Sequence, residues 1–249
     1  MKSNSSLRFT SEVLYVPIVL VLTLWIVFWV EIRFGVRFTK WGIYPLKIEG
    51  LKGVLFAPFI HGSLKHLFNN SVPFLVLCSA LFYFYRPIRW KVLIYGYLLT
   101  GILTWLIARP AWHIGASGLI YLLASFLFFK GIFSRHFRLV ALSMLVVFLY
   151  GSMLWYLFPI RPEISWEGHL SGFLVGFLFA VLFRKDPIEK PVYAWQSPDY
   201  KEEDDPFLRH FDENGNFIES IPEEQITNQK EAQKIQVVYY YKNETTEEE

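Results

Sequence analysis

Acidic residues are kept out of the long apolar runs in the first three quarters of this sequence. No aspartate occurs before Asp186, and the five glutamates up to residue 184 all lie at or outside the ends of apolar stretches. An unpaired carboxylate at the centre of a bilayer costs about 2.5–3.5 kcal/mol even on the lenient insertion scale, so this exclusion is typical of membrane-spanning sequence. Because 53% of the residues are hydrophobic and only 18% are charged, an ordinary soluble domain is excluded.

Six apolar runs are long enough to cross about 30 Å of hydrocarbon as helices. The first run is too long for the core of a signal peptide and no small-residue cleavage site follows it, so we expect it to remain in the membrane. The predicted fold class is therefore an all-α membrane protein with six transmembrane helices. A short N-terminal segment, 1–12, precedes runs at 13–31, 66–85, 91–108, 115–133, 138–158 and 168–184.

Basic residues are distributed unevenly over the loops. Lysines and arginines follow predicted spans 2, 4 and 6, whereas the opposite short loops contain only Arg109 and Arg161. The positive-inside rule then places both termini in the cytoplasm of a multi-pass plasma-membrane protein. The long loop after span 1 is also basic, and its glycines, prolines and aromatics indicate a folded interfacial segment. Because the charges flank apolar runs and form no stripe, nucleic acid is not an expected partner.

The composition changes abruptly after Phe183. Residues 185–249 carry 7 basic and 17 acidic side chains, against 17 and 5 in residues 1–184. We expect a largely disordered acidic cytoplasmic tail, because this segment cannot bury enough apolar surface to fold alone. Within the tail, residues 235–241 have strand propensity and either pair with a partner or form a short sticky stretch. The sequence carries no signature of an oligomeric state.

Polar side chains collect at one depth of the predicted bundle. Spans 2, 4 and 6 all run inward from the outer face, so their first turns lie in one layer. These turns contain His66 and Asn70 in span 2, Ser117 in span 4 and His169 in span 6. His66 and Asn70 are four residues apart and therefore share one helix face.

Small residues predict how these turns come together. Gly172 and Gly176 follow the span 6 histidine at helical spacing, which lets another helix approach closely. Gly115 and Gly118 flank Ser117, so nothing bulky blocks that approach in span 4. Glycine stripes also simply pack helices, and serine or histidine can merely cap or bridge them. Their coincidence at one depth favours a site over that simpler interpretation.

This set of groups is typical of nucleophilic acyl transfer. Ser117 needs a neighbouring base to lose its proton, and the His169 imidazole is suited to that role. A tetrahedral oxyanion needs donors, which Asn70, His66 and the Ser117 backbone N–H can supply. Tyr121, four residues after the serine, either stacks on the imidazole or is an ordinary bundle aromatic. The chemistry needs no cofactor, and no cysteine cluster or HExxH pattern predicts a metal site.

Two nearby polar residues are predicted to have other roles. Glu167 lies two residues before His169 at a helix start, so it is expected to point elsewhere and not to orient the imidazole. His113, beside Trp112, is expected to anchor the chain at headgroup level, the alternative being a position at the cavity mouth.

Three motifs resemble those of the rhomboid family of intramembrane serine proteases. They are Gly115-Ala116-Ser117-Gly118 for GxSG, His66 to Asn70 for HxxxN, and His169 followed by Gly172 and Gly176 for the span 6 signature. Tyr121 falls where the family places a stacking tyrosine, and His61 matches a further recurrent histidine. Two positions depart from the pattern: Lys52-Gly53 replaces a common Trp-Arg pair, and Gly168 replaces a common alanine.

The resemblance covers roughly residues 50–184 and implies a six-helix bundle whose Ser-His dyad opens to the outer face. It implies Ser117 as nucleophile, His169 as general base, and His66 and Asn70 at the oxyanion site. The implied substrates are transmembrane segments of other proteins in the lipid bilayer. One alternative is an inactive rhomboid-like protein that binds membrane clients, although such relatives generally lack the serine or the histidine. A channel or transporter with a solute-binding polar cluster is the other alternative.

Overall fold

The computed structural model describes residues 9–133, 137–149, 154–185 and 194–218. The chain divides into two compact units, 1–192 and 193–249. The described part of the first unit is helical and contains the core. Its helices are α1 Glu12–Phe34, α2 Ile48–Leu51, α3 Gly53–Phe56, α4 Leu64–Phe84, α5 Arg89–Ile107, α6 Ser117–Phe133, α7 Phe137–Leu149 and α8 Trp166–Leu182.

Three of these helices meet the length and hydropathy required to cross a membrane. They are α1, α4 and α5, with 23, 21 and 19 residues. The apolar helices α6, α7 and α8 are shorter, with 17, 13 and 17 residues. At about 1.5 Å per residue, a 17-residue helix is about 26 Å long, a little less than the hydrocarbon thickness.

The predicted fifth span extends too far. It was placed at 138–158, whereas the described part of α7 reaches Leu149 and Trp155–Leu157 forms a 3-10 turn. Tyr156 and Leu157 in this turn are half-buried, and the Tyr156 carbonyl contacts His169. Residues 155–157 are therefore a turn and not the continuation of a helical span, and Trp155 within it and Phe158 after it stay exposed.

Helices α6 and α8 pack with their backbones in close contact. Cβ atoms built on Gly172 and Gly176 would lie less than 3.0 Å from the carbonyl oxygens of Gly118 and Leu122, respectively. Across the same interface, Ser125 Oγ donates a 2.8 Å hydrogen bond to the Phe173 carbonyl. Small residues thus permit the approach that the glycine spacing predicted.

Gly172→Ala is expected to destabilise the protein by about 1–3 kcal/mol, because overpacking of this size forces backbone to move. The added methyl group would meet main-chain atoms of α6, which cannot rotate away. The measurement is the thermal unfolding midpoint in detergent. Gly62→Ala is the matched control, since its methyl group would lie 3.8 Å from Ile114 Cδ1 in ordinary contact. Equal midpoints for the two variants would contradict this account of the interface.

The loop between α1 and α4 is folded, as the sequence predicted. Ile43 and His113 exchange backbone hydrogen bonds of 2.9 and 2.8 Å, which join this loop to the segment before α6. Lys52 Nζ lies 5.2 Å from the centre of the Trp41 ring, a cation–π contact. A Cβ on Gly53 would collide with the Gly42 backbone. Lys52-Gly53 therefore anchors the loop by a cation–π contact and a close backbone approach.

The described part of the second unit is a short run of turns. It contains 3-10 turns at Ala194–Gln196, Glu202–Asp204 and Leu208–His210. Phe211 and Phe217 form an isolated antiparallel bridge. Between them the Asp212 carboxylate accepts hydrogen bonds from the backbone of Asn214 and Asn216. The stretch 235–241, for which pairing was considered, lies outside the described residues.

Candidate active site

The predicted nucleophile and base are in hydrogen-bonding contact. Ser117 begins α6 and His169 lies in the first turn of α8, and the Ser117 Oγ to His169 Nε2 distance is 2.9 Å. His169 Nδ1 lies 2.9 Å from the Tyr156 carbonyl oxygen. Because a carbonyl oxygen only accepts, Nδ1 carries the hydrogen and Nε2 is left to accept from the serine. This is the tautomer that a general base for Ser117 requires.

Sequence reasoning missed the group that orients this imidazole. The acceptor is a main-chain carbonyl, which every residue possesses, so residue 156 carries no side-chain signal for it. Tyr121 provides the second restraint, since its ring stacks on His169 at 4.3 Å between centroids with an interplanar angle of 12°. Of the two interpretations open for Tyr121, the stacking contact is the one present.

Gly115 brings the start of α6 against the two predicted oxyanion donors. Its φ of +104° belongs to the region that favours glycine, and a Cβ here would lie 2.7 Å from His66 Cε1 and 3.5 Å from Asn70 Nδ2. Because Gly115 is not helical, α6 starts at Ser117 and not at 115 as predicted. The Ser117 N–H, at this helix start, has no acceptor within its own helix.

The Asn70 side chain is buried beside this turn. It is 5% exposed, and its Nδ2 has no protein acceptor in the described part of the chain. Leaving a buried amide donor without an acceptor costs about 1–3 kcal/mol. Such a donor is suited to an oxygen that arrives with a substrate.

His61 packs against His66 from the loop before α4. The two rings lie 5.0 Å apart at 64°. Because α4 begins only at Leu64, His61 lies in the loop and not on the helix that carries His66. Among the residues that the structure describes, no three His, Cys, Asp or Glu side chains are grouped to hold a metal ion.

Burial lowers the pKa of His61 to about 4, with a smaller contribution from the charge on neighbouring His66. An unfolded chain would protonate this histidine near pH 6.5, so it binds more protons than the folded chain between these values. The contribution of His61 to the free energy of unfolding is therefore expected to fall by on the order of 3 kcal/mol as pH drops from 6.5 to 4. Unfolding midpoints across this range measure it. His61→Gln should flatten the slope, and an unchanged slope would contradict the assignment.

His113 and Glu167 are both buried, and neither faces solvent. His113 is 4% exposed, so its expected role as a headgroup anchor is wrong; it is fixed between the Arg109 carbonyl and Ser165 Oγ. Glu167 points away from His169, as predicted, and pairs with Arg109.

Ser165 caps α8 by accepting from the Gly168 N–H, and a Cβ on Gly168 would lie 2.9 Å from that cap oxygen. A side chain at position 168 would therefore crowd the Ser165 oxygen that caps α8, and glycine avoids this contact.

Fold and site together define a helical membrane protein with a serine and a histidine in contact at the starts of two helices. The model of the rhomboid domain matches residues 49–186, more than half of the chain, so the protein belongs to the rhomboid family.

The chain is also similar to curated proteins from mycobacteria. An uncharacterized protein of Mycobacterium tuberculosis (strain ATCC 25618 / H37Rv) is 37% identical over 164 residues, which cover 59% of this chain and 65% of the relative. An uncharacterized protein of Mycobacterium leprae (strain TN) is 36% identical over 152 residues, covering 57% and 59%. The chain thus spans less than two thirds of the length of these relatives.

Proposed function

We propose that this protein is an intramembrane serine endopeptidase that cleaves transmembrane segments of other membrane proteins. The observation that carries the proposal is the 2.9 Å contact between Ser117 Oγ and His169 Nε2, with Nδ1 bonded to the Tyr156 carbonyl. A serine paired with a base that is held in the correct tautomer is the arrangement that nucleophilic catalysis requires. Membership of the rhomboid family is consistent with this activity.

The residues act in sequence on a substrate peptide bond. Ser117 Oγ attacks the carbonyl carbon while its proton passes to His169 Nε2, and the carbonyl electron pair moves to the oxygen. Asn70, His66 and the Ser117 N–H donate to that oxyanion. Collapse of the intermediate breaks the C–N bond, and the amine leaves with the proton from His169. Water then hydrolyses the acyl-serine ester by the same route.

A small cavity beside the serine supports water as the second nucleophile. Its volume is about 40 Å³, above the roughly 10–15 Å³ that one water needs. Its lining includes Ser117 and Gly118 of α6 and Thr100 and Thr104 of α5. His169 can therefore serve as the base in both half-reactions, first for Ser117 and then for water.

The proposed topology has six spans, with α6, α7 and α8 as the last three and both termini in the cytoplasm. The first turns of α4, α6 and α8 contribute His66, Ser117 and His169 and would then lie toward the outer face. A helical substrate must unwind before its peptide bond can be attacked, so accessible, helix-destabilised segments near that face are the expected substrates.

Two measurements on the purified full-length protein test the activity. A fluorophosphonate probe should label it covalently in detergent, and peptide mass spectrometry should locate the adduct at Ser117. In proteoliposomes the protein should cut a reconstituted transmembrane substrate. Absence of both reactions would favour the client-binding or transporter alternatives and overturn the proposal.

A further inference from the structure

An ion pair between the half-buried Arg109 and the buried Glu167 joins the segment before α6 to the start of α8. The Glu167 side chain is 2% exposed, and its Oε1 accepts from the Arg109 backbone N–H at 3.2 Å and from Arg109 Nη1 at 3.4 Å. Arg109 Nη2 also donates to the carbonyls of Pro162 and Ile164, at 2.6 and 2.8 Å. The Arg109 guanidinium group thus connects its own loop to residues 162–164 and to the first turn of α8.

The backbone of Arg109 is fixed as well. His113 Nε2 lies 3.0 Å from the Arg109 carbonyl, which can only accept, so Nε2 carries the hydrogen. His113 Nδ1 must therefore accept from the Ser165 hydroxyl at 2.6 Å, and Ser165 Oγ in turn accepts from the Gly168 N–H. This orientation requires neutral His113, and burial lowers its pKa accordingly. These hydrogen bonds link the start of α8, at Ser165 and Gly168, to the segment before α6, at Arg109 and His113, and each donor points toward Arg109.

These two segments carry the proposed catalytic dyad. Glu167 precedes His169 by two residues in the same helical turn, and its carbonyl accepts a 2.7 Å hydrogen bond from Ser171 Oγ in the next turn. Arg109 lies eight residues before Ser117, beyond His113 in the same loop. A misplacement of about 1 Å can cost about 10²-fold in rate, so the relative position of these segments matters to catalysis.

We propose that Arg109 and Glu167 are positioning residues for His169: their ion pair sets the start of α8 so that His169 Nε2 reaches Ser117 Oγ. This rests on the proposed function. The pair does not touch the reacting atoms: Glu167 bonds to Arg109 and not to the imidazole. Buried ion pairs contribute little net stability compared with well-packed neutral residues, whereas they can specify one geometry.

The test replaces both charges at once. In Arg109→Met/Glu167→Gln no uncompensated charge stays buried, so the variant should fold with an unfolding midpoint near that of wild type. We expect its kcat on a reconstituted transmembrane substrate to fall 10- to 100-fold with KM within about twofold, and fluorophosphonate labelling to slow in parallel. Arg161→Met/Glu163→Gln is the matched control, because both side chains are exposed in the neighbouring loop; its kinetics should stay unchanged.

The result for the double variant tests the positioning role, and the labelling of wild type tests the proposed function. A folded double variant with wild-type kcat would show that the pair only supports the fold, and it would overturn the positioning role while leaving the dyad intact. Lack of labelling in wild type would instead overturn the proposed function and this inference with it. Should the double variant fail to fold, Glu167→Gln, which keeps an acceptor oxygen for Arg109, provides the same kcat and KM comparison.

Discussion

Ser117→Ala and His169→Ala are each expected to reduce cleavage of a transmembrane substrate by at least about 10⁴-fold, and Ser117→Ala to abolish fluorophosphonate labelling. The serine supplies the atom that bonds to the probe, and the histidine removes its proton across the 2.9 Å contact. Because the two groups act as one unit, Ser117→Ala/His169→Ala should be no slower than either single variant. Initial rates in proteoliposomes and gel fluorescence of the probe are the measurements.

A second buried serine in the same helix provides the control. Ser125 Oγ donates to the Phe173 carbonyl two turns below Ser117 and has no imidazole beside it. Ser125→Ala should keep full labelling and lose only about 1 kcal/mol of stability. Labelling that persisted in Ser117→Ala would place the nucleophile elsewhere and remove the dyad. Loss of labelling in both variants would indicate that the probe reports folding and not reaction.

Hydropathy was sufficient to predict most of the helices. The limits of α1, α4 and α5 lie within three residues of the predicted spans, because long apolar runs must be helical where no water can satisfy the backbone. The exception was the end of the fifth run, where Trp155–Leu157 form a 3-10 turn and the Tyr156 carbonyl contacts His169. Length and apolarity alone cannot distinguish such an apolar turn from the last turns of a membrane helix.

The components of the site were predictable to different degrees. Ser117, His169 and Asn70 stood out because polar side chains are rare and costly within apolar runs. The Tyr156 carbonyl could not be predicted, since a backbone acceptor has no sequence signature. The partner of Glu167 could not be predicted either. Arg109 is 58 residues away, and only the packing of α8 against the segment before α6 brings the two side chains together.

Asn70→Ala is expected to lower kcat by about 10²–10³-fold, the usual cost of removing one oxyanion donor, and to leave KM nearly unchanged. Asn70 Nδ2 should donate to the substrate oxygen only once that oxygen carries charge, so its loss weakens transition-state binding and not substrate binding. Folding should not suffer, because this amide has no protein acceptor in the described chain. Stability should stay constant or rise slightly, since an unpaired buried donor is removed.

A lower kcat without a loss of stability in Asn70→Ala distinguishes an oxyanion donor from a residue that only supports packing. Asn69→Ala is the matched control, because the neighbouring asparagine is exposed on α4 and should affect neither property. Steady-state kinetics in proteoliposomes and thermal unfolding in detergent, measured on the same preparations, give both quantities. An Asn70→Ala protein that unfolded at lower temperature but turned over at the wild-type rate would assign this amide to packing. The oxyanion would then depend on His66 and the Ser117 N–H, the two remaining donors next to Gly115.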